Sequence, residues 1–431
     1  MTERIVVVGG GVAGLVCARV LQAAGRDVLL FERDAEIGGR VRTRRVDGFS
    51  IDRGFQVAFE AYPTLGRHVD WRALDMRWFA PAGRICTADG RTTLVGDALA
   101  DPTLLWPTLT QGGLSWGDLW RVLRLRRDAV RRRFEECFAP ATLGRSTRDY
   151  LAGLGVTPRG IARFFAPFYG GILLDRSLET SASVLLYTFK MLAEGRTGVP
   201  RAGMGALSAQ MAAGLRPGTL RTGIPVAGVT VRDGAVRGVT LADGTAIEAT
   251  AVVLATEAPA LAKLAESAGS SVTVPTETRG VTTCYFASRT PVLPGRALWL
   301  NAAEPATVSH AVTVTEVAPE YAPTGWHLLA TNTVGSAAAL PDEGLLAGVR
   351  ADVSRMSGRP LPEDLRVVAI ERVPLAQVAQ PPRATQAQVP VRTEVPGLVF
   401  ASELWHSSSL EGAARAGEAA AAALIGTDRP A

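Results

Sequence analysis

Lysine is almost missing from this chain: of its 46 basic residues only Lys190 and Lys263 are lysines, and the rest are arginines. Set against 41 acidic residues, they leave a net charge of +5. That excess is too mild and too evenly spread to argue for a nucleic-acid surface, and most of it reads as background. Cysteine is also scarce. Cys17, Cys86, Cys137 and Cys284 lie far apart and form neither a CxxC pair nor a His/Cys cluster with metal-ligand spacing, so no zinc site and no disulfide framework is expected. No apolar run reaches the roughly 18 to 20 residues that cross a bilayer. Met1 to Arg4 leads straight into Ile5 to Val8 and then glycines, without the h-region and small-residue cleavage site of a signal peptide. The expectation is a soluble, cytoplasmic protein without a metal.

What is present is glycine and apolar residues: 45 Gly in 431 residues that are 47% hydrophobic and 20% charged. Such a chain buries a large core, and its length predicts about two or three domains. The first thirty residues carry most of the chemistry. Ile5 to Val8 reads as a buried strand, Gly9-Gly-Gly-Val-Ala-Gly14 as a tight turn, and Leu15 to Ala24 as a helix closed by Gly25. Gly9, Gly11 and Gly14 have the G-x-G-x-x-G spacing: one glycine permits the turn, one lets the backbone approach a pyrophosphate, and one lets helix and strand pack closely. The helix N-terminus then offers unpaired N–H groups and a positive dipole end to phosphate, and Val12 and Ala13 of the turn join the cofactor-contact set. Asp27 to Glu32 follows as a second strand, and Glu32 stands 18 residues beyond Gly14, where an acid accepts hydrogen bonds from a ribose diol. An acid here disfavours a 2′-phosphate, hence NADP. Arg33 beside it joins the cofactor-contact set.

Downstream come Ile37-Gly-Gly-Arg-Val-Arg-Thr43 and Phe49-Ser-Ile-Asp-Arg-Gly-Phe-Gln56, which a nicotinamide-dependent dehydrogenase gives no reason to expect. With them the sequence resembles the flavin-containing amine oxidase superfamily, which includes monoamine oxidases, protoporphyrinogen oxidases and phytoene desaturases. The resemblance implies that Arg40 lies near an FAD pyrophosphate, with Gly38 and Gly39 allowing close backbone approach. Two later segments agree. Asp233-Gly234 and Asp243-Gly244 are hairpin signals in an alternating stretch from Gly223, which predicts a small antiparallel meander leading into the apolar strand Ala251 to Thr256. The resemblance makes Val226, at the start of that meander, a backbone contact to the adenine end. Gly397 to Glu403 reads as a strand ending in an acid and Ser409 to Ile425 as a small-residue helix; the resemblance puts Glu403 near the ribitol and Leu410 to Ala413 at the flavin pyrimidine edge. Ser402 stands where the family usually has glycine.

The implied fold is α/β: a discontinuous Rossmann-like FAD-binding domain (residues 1–59, 199–269 and 393–431; parallel sheet plus antiparallel β-meander) interleaved with an α+β substrate domain (60–198 and 270–392). No cysteine stands in the C-terminal motif, so noncovalent FAD is expected. Amine-oxidising relatives commonly place a lysine near flavin N5; in the strand Gly280 to Phe286, Thr283 stands at that position, which argues against a standard amine-oxidase site.

The substrate half is less legible. Phe164 to Gly171 and Tyr187 to Phe189 bring aromatic residues that are candidates for a pocket wall, and Trp405 and His406, just after Glu403, are placed by the resemblance close to the isoalloxazine. His406, Trp405 and Tyr169 are the catalytic candidates. Trp116 to Phe138 reads as a basic amphipathic helix, a candidate for peripheral membrane contact. The expected function is FAD-dependent oxidation (dehydrogenase, desaturase or oxidase) of a largely apolar small molecule through hydride transfer from a C–N or C–C centre to flavin N5. Two alternatives remain open: a redox-neutral flavin isomerase, and a non-enzymatic lipid- or prenyl-binding protein of the same fold, as in the Rab GDP-dissociation inhibitors. The sequence indicates no particular substrate, electron acceptor or oligomeric state.

Overall fold

The computed structural model describes residues 4–111, 114–385 and 387–426. A five-stranded, all-parallel sheet holds its strands in the spatial order Leu220–Arg221, Asp27–Phe31, Arg4–Val8, Ala251–Leu254, Leu398–Phe400. The central strand is buried on both faces, which is why it reads as an unbroken apolar run. Period-two alternation sorts its side chains. Ile5 and Val7 join the core that contains the first helix, Val12–Ala23, while Val6 and Val8 join the cluster formed with the meander residues Val229, Val236 and Val239.

The antiparallel meander, Val226–Arg232, Ala235–Leu241 and Ala246–Glu248, turns at Asp233-Gly234 and Asp243-Gly244 as expected. Helix Leu410–Ile425 is capped by Ser409 and lies against the first helix. Small residues permit that approach: a Cβ on Gly417 would come 2.4 Å from the Ala13 carbonyl oxygen.

A seven-stranded sheet lies in the other half, in the order Arg366–Val378, Thr278–Ser288, His327–Val334, His310–Thr313, Leu298–Asn301, Ala82–Cys86, Thr92–Gly96. All its pairings are antiparallel except that of Leu298–Asn301 with Ala82–Cys86. The helices Trp116–Arg131 and Ala182–Glu194 pack against one another beside it.

Three boundaries differ most from expectation. The first helix starts at Val12 rather than Leu15, because Gly11 already serves as its N-cap. The basic helix ends at Arg131; Arg132 turns to an extended conformation (φ −73°, ψ 143°) and Glu135–Phe138 forms a separate 3-10 turn, so that Phe134 and Phe138 enter the core. The C-terminal strand stops at Phe400, and Glu403 opens a 3-10 turn capped by Ser402. Among the described residues no helix is long and apolar enough to cross a membrane. All four cysteines are free and buried.

Candidate functional site

One cavity of about 580 Å³ runs from the C-terminal edge of the parallel sheet to the seven-stranded sheet. Its first end is built by the glycine turn. Gly9 has φ +112°, and a Cβ there would come 2.5 Å from the Ala255 carbonyl oxygen; on Gly14 it would come 1.9 Å from that of Gly9. Both glycines are required by close packing. Gly11 is different, since a Cβ on it meets nothing within 4 Å, and one on Gly39 meets only the Cα of Gly11, at 3.7 Å. These two glycines leave an open cradle. The helix start that faces it has no side-chain cap and no acid in its first turn, so its amide hydrogens remain available to a diphosphate.

Glu32 lies at the rim of the cradle, buried, its carboxylate accepting from Gly10 N (2.7 Å) and Asp34 N (3.0 Å). Those bonds fix its orientation and leave lone pairs for a further donor. Ile224 N donates to the Glu32 carbonyl (2.9 Å), tying the meander to this acid, and Val226 lines the wall beyond. Ion pairs flank this end, Arg33 with Glu257 (2.9 Å) and Arg42 with Asp34 (2.9 Å). Thr256 Oγ1 is buried there without a hydrogen-bond partner.

Midway, Arg40 pairs with Glu403 (2.7 Å) and donates to the Ala376 carbonyl (3.0 Å). Burial works against the guanidinium charge, but Glu403 outweighs it and holds Arg40 above its usual range. Ser408 Oγ donates to the other Glu403 oxygen (2.9 Å). Gln56 Nε2 donates to the carbonyls of Arg40 (2.7 Å) and Arg53 (3.0 Å), holding the loop in place.

The far end is largely apolar, with Phe168, Ile172, Leu174, Val281 and Leu300 in its wall. Two polar residues on neighbouring strands enter it. His310 and Asn332 are partners in register, both buried, and neither His310 Nδ1 nor Asn332 Nδ2 has a hydrogen-bond partner. Burial, aided by Arg176, pushes His310 down to about 4, so its imidazole is neutral at pH 7. Thr283 Oγ1 donates to Asn332 Oδ1 (2.6 Å) and accepts from Phe55 N (3.1 Å), which orients the amide. The lysine in the cavity wall, Lys263, belongs to helix Ala258–Ser267, beside the meander.

Gly9, Gly11, Val12, Ala13, Glu32, Arg33, Gly38, Gly39, Arg40, Val226, Glu403 and Leu410 all line the cavity. Gly14 does not, and serves the close contact of turn and helix instead. The three catalytic candidates lie elsewhere. His406 is buried between Phe134 (rings stacked, centroids 5.4 Å) and Phe138 (4.4 Å), and desolvation pushes it down to about 3. Trp405 accompanies it, away from the cavity wall. Tyr169 stacks with Phe165 and Phe189 in the core, whereas its neighbours Phe168 and Gly171 reach the cavity. His310, Asn332 and Gln56 also line the cavity and were not among the site residues expected from the sequence. His310 and Asn332 share their strands with Thr313, Thr331 and Thr333, so the polar pair does not stand out in the sequence pattern.

A model of flavin containing amine oxidoreductases matches residues 12–425. The coproporphyrinogen III oxidase of Propionibacterium freudenreichii subsp. freudenreichii is 32% identical over 180 residues, 39% of this chain and 31% of that protein. The alignment thus spans about a third of that curated relative. An oxidoreductase of Methanosarcina mazei has a similar fold (TM-score 0.70, 20% identical, covering 96% of this chain and 99% of that one). So does the cyclohexylamine oxidase of Brevibacterium oxydans IH-35A (TM-score 0.68, 17% identical, covering 99% of each).

Proposed function

The chain belongs to the family of flavin containing amine oxidoreductases, and from that premise we propose an FAD-dependent oxidoreductase that oxidises a C–N or C–C centre of a largely apolar organic molecule. The observation that carries this reading is the continuity of one cavity from the glycine cradle and Glu32 to the apolar wall around His310 and Asn332. FAD, when bound, supplies the acceptor for a hydride, chemistry that no side chain provides.

The residues present fit that cofactor. The Gly11 and Gly39 cradle at the helix start receives the diphosphate, Glu32 accepts from a ribose hydroxyl, and the orphaned Thr256 hydroxyl has room to pair at the same end. Arg40 holds positive charge beside the diphosphate, positioned by Glu403 and the Ala376 carbonyl. Binding is noncovalent in this reading, because none of the four cysteines lines the cavity.

At the substrate end the apolar wall excludes water and orients the reacting carbon. His310 and Asn332, each with an unpaired nitrogen, hold a polar atom of the substrate by hydrogen bonds. Their pairing would recover the cost of burying those groups unsatisfied. Thr283 works one step back, orienting Asn332. Lys263 apart, the wall holds no lysine among the described residues, so the reading favours C–C over amine oxidation. The name of the P. freudenreichii relative makes porphyrinogens the first substrates to try.

The test is anaerobic mixing of the flavin-loaded protein with porphyrinogens, polyenes and amines while the visible absorbance of the oxidised flavin is followed. Bleaching by a porphyrinogen or polyene is expected. Loaded protein that bleaches with none of the three classes contradicts the proposed reaction.

A further inference from the structure

The described residues expose eight large hydrophobic side chains substantially, and seven of them fall between residues 99 and 130: Leu99, Leu105, Trp106, Trp116, Trp120, Leu123 and Val130. Exposed apolar residues scattered singly are ordinary; seven gathered in one stretch of the chain are not, and four of them stand on one helix, Trp116–Arg131. Three are tryptophans, at 74% (Trp106), 71% (Trp116) and 58% (Trp120) exposure.

The helix Trp116–Arg131 is apolar on two sides. Leu119 and Val122 face inward onto the cluster of Ile85, Val95, Leu114 and Leu300, and Leu300 also lines the cavity. Outward, Trp116, Trp120, Leu123, Arg127 and Val130 recur at spacings of three and four residues and so form one stripe. Arg124 and Arg131 border it, with the Arg124 guanidinium 5.2 Å from the Trp120 ring centroid. Among the described residues, no ion pair engages Arg124, Arg127 or Arg131, whereas Arg126, on the inner side, pairs with Asp97 (2.9 Å) near Leu99. A solvated surface helix has no use for exposed tryptophans. Trp and Arg also occur in protein–protein interfaces, but self-association through this stripe would bring arginines of two copies together with no acid in the stripe to offset them. Tryptophan beside unpaired arginine matches the interface of a bilayer with anionic headgroups.

We propose that the outer stripe of helix Trp116–Arg131 docks this protein onto an anionic lipid surface, with Trp116 and Trp120 at headgroup level and Arg124, Arg127 and Arg131 against the lipid phosphates. The helix so docked packs through Leu119 and Val122 on the cluster that includes Leu300 of the cavity wall. This inference does not rest on the proposed reaction.

The test is co-sedimentation of the full chain with phosphatidylcholine vesicles, with and without phosphatidylglycerol, at low and high salt. The wild type should sediment with the anionic vesicles at low salt and be released by high salt. Each arginine is worth about fivefold in partitioning on an anionic surface, so Arg124→Gln/Arg127→Gln/Arg131→Gln should lose on the order of a hundredfold. Trp116→Ser/Trp120→Ser should weaken binding to the anionic vesicles at low salt. All five side chains are on the surface, and unchanged far-UV circular dichroism checks that the variants are folded. Wild-type protein that binds neither vesicle overturns the proposal, as does binding that neither variant changes. A concentration-dependent wild-type dimer that Trp116→Ser/Trp120→Ser converts to monomer would also overturn it, assigning the patch to a second copy of the chain.

Discussion

Replacing Gly11 by valine separates cofactor binding from folding. Gly11 has φ −78°, a value open to any L-residue, and a Cβ placed on it meets no protein atom within 4 Å. The variant should therefore fold as its parent does. What the side chain fills is the cradle against the start of the first helix, where a diphosphate must lie to reach the free N–H groups. Denying two charge-assisted hydrogen bonds at about 2 kcal/mol each costs about 4 kcal/mol, or on the order of a thousandfold in Kd. Gly14→Ala is the contrasting case. Its Cβ would come 1.9 Å from the Gly9 carbonyl oxygen, so turn and helix must part, at a cost of roughly 1–3 kcal/mol of stability. The assay is FAD released on denaturation per mole of protein, alongside urea unfolding followed by circular dichroism. Gly11→Val should show the parental urea midpoint with little flavin, and Gly14→Ala a lowered midpoint. Full flavin occupancy in Gly11→Val would refute the placement of the diphosphate at that cradle.

Three further expectations concern single side chains. Glu32→Ala removes the acceptor held by Gly10 N and Asp34 N; the loss of one hydrogen bond to a charged group, about 1.5–3 kcal/mol, should raise the FAD Kd at least about tenfold, measured by flavin fluorescence titration. Asp52 is buried, accepting from Thr43, Met204 N and Tyr321, yet desolvation pushes it up from 3.8 to about 6. Its folded form binds the proton more tightly, so its contribution is complete below 3.8 and is lost as pH rises through about 6; the difference is about 3 kcal/mol, and urea midpoints of Asp52→Asn across that window should lack this fall. His310 acts in the opposite sense. Lowered from 6.5 to about 4, it contributes fully above 6.5 and loses about 3 kcal/mol as pH falls through about 4, so His310→Leu should be less acid-sensitive than wild type in the same unfolding series.

The half of the molecule built from local signals was legible. The glycine turn, the alternating strands around Asp233-Gly234 and Asp243-Gly244, and the small-residue helix after Ser409 each carry their geometry within a few residues. The seven-stranded sheet carries no such signal, since Ala82–Cys86 pairs with Leu298–Asn301, more than two hundred positions away. Strand register likewise hid the polar pair in the cavity. His310 and Asn332 become neighbours only because two strands align in that register. His406 was legible as a residue near Glu403 but not in its direction. It turns toward Phe134 and Phe138, which reach it because the basic helix breaks at Arg132, at a point marked by neither glycine nor proline.

The proposed function stands on FAD binding in the cavity, with its apolar substrate end beside the cofactor. Denaturing the purified protein, reconstituted with excess FAD and freed of unbound ligand, and quantifying what is released tests it most directly. Close to one FAD per chain is expected in the wild type, with a marked loss in Gly11→Val. A wild-type protein that retains no FAD after reconstitution would contradict it.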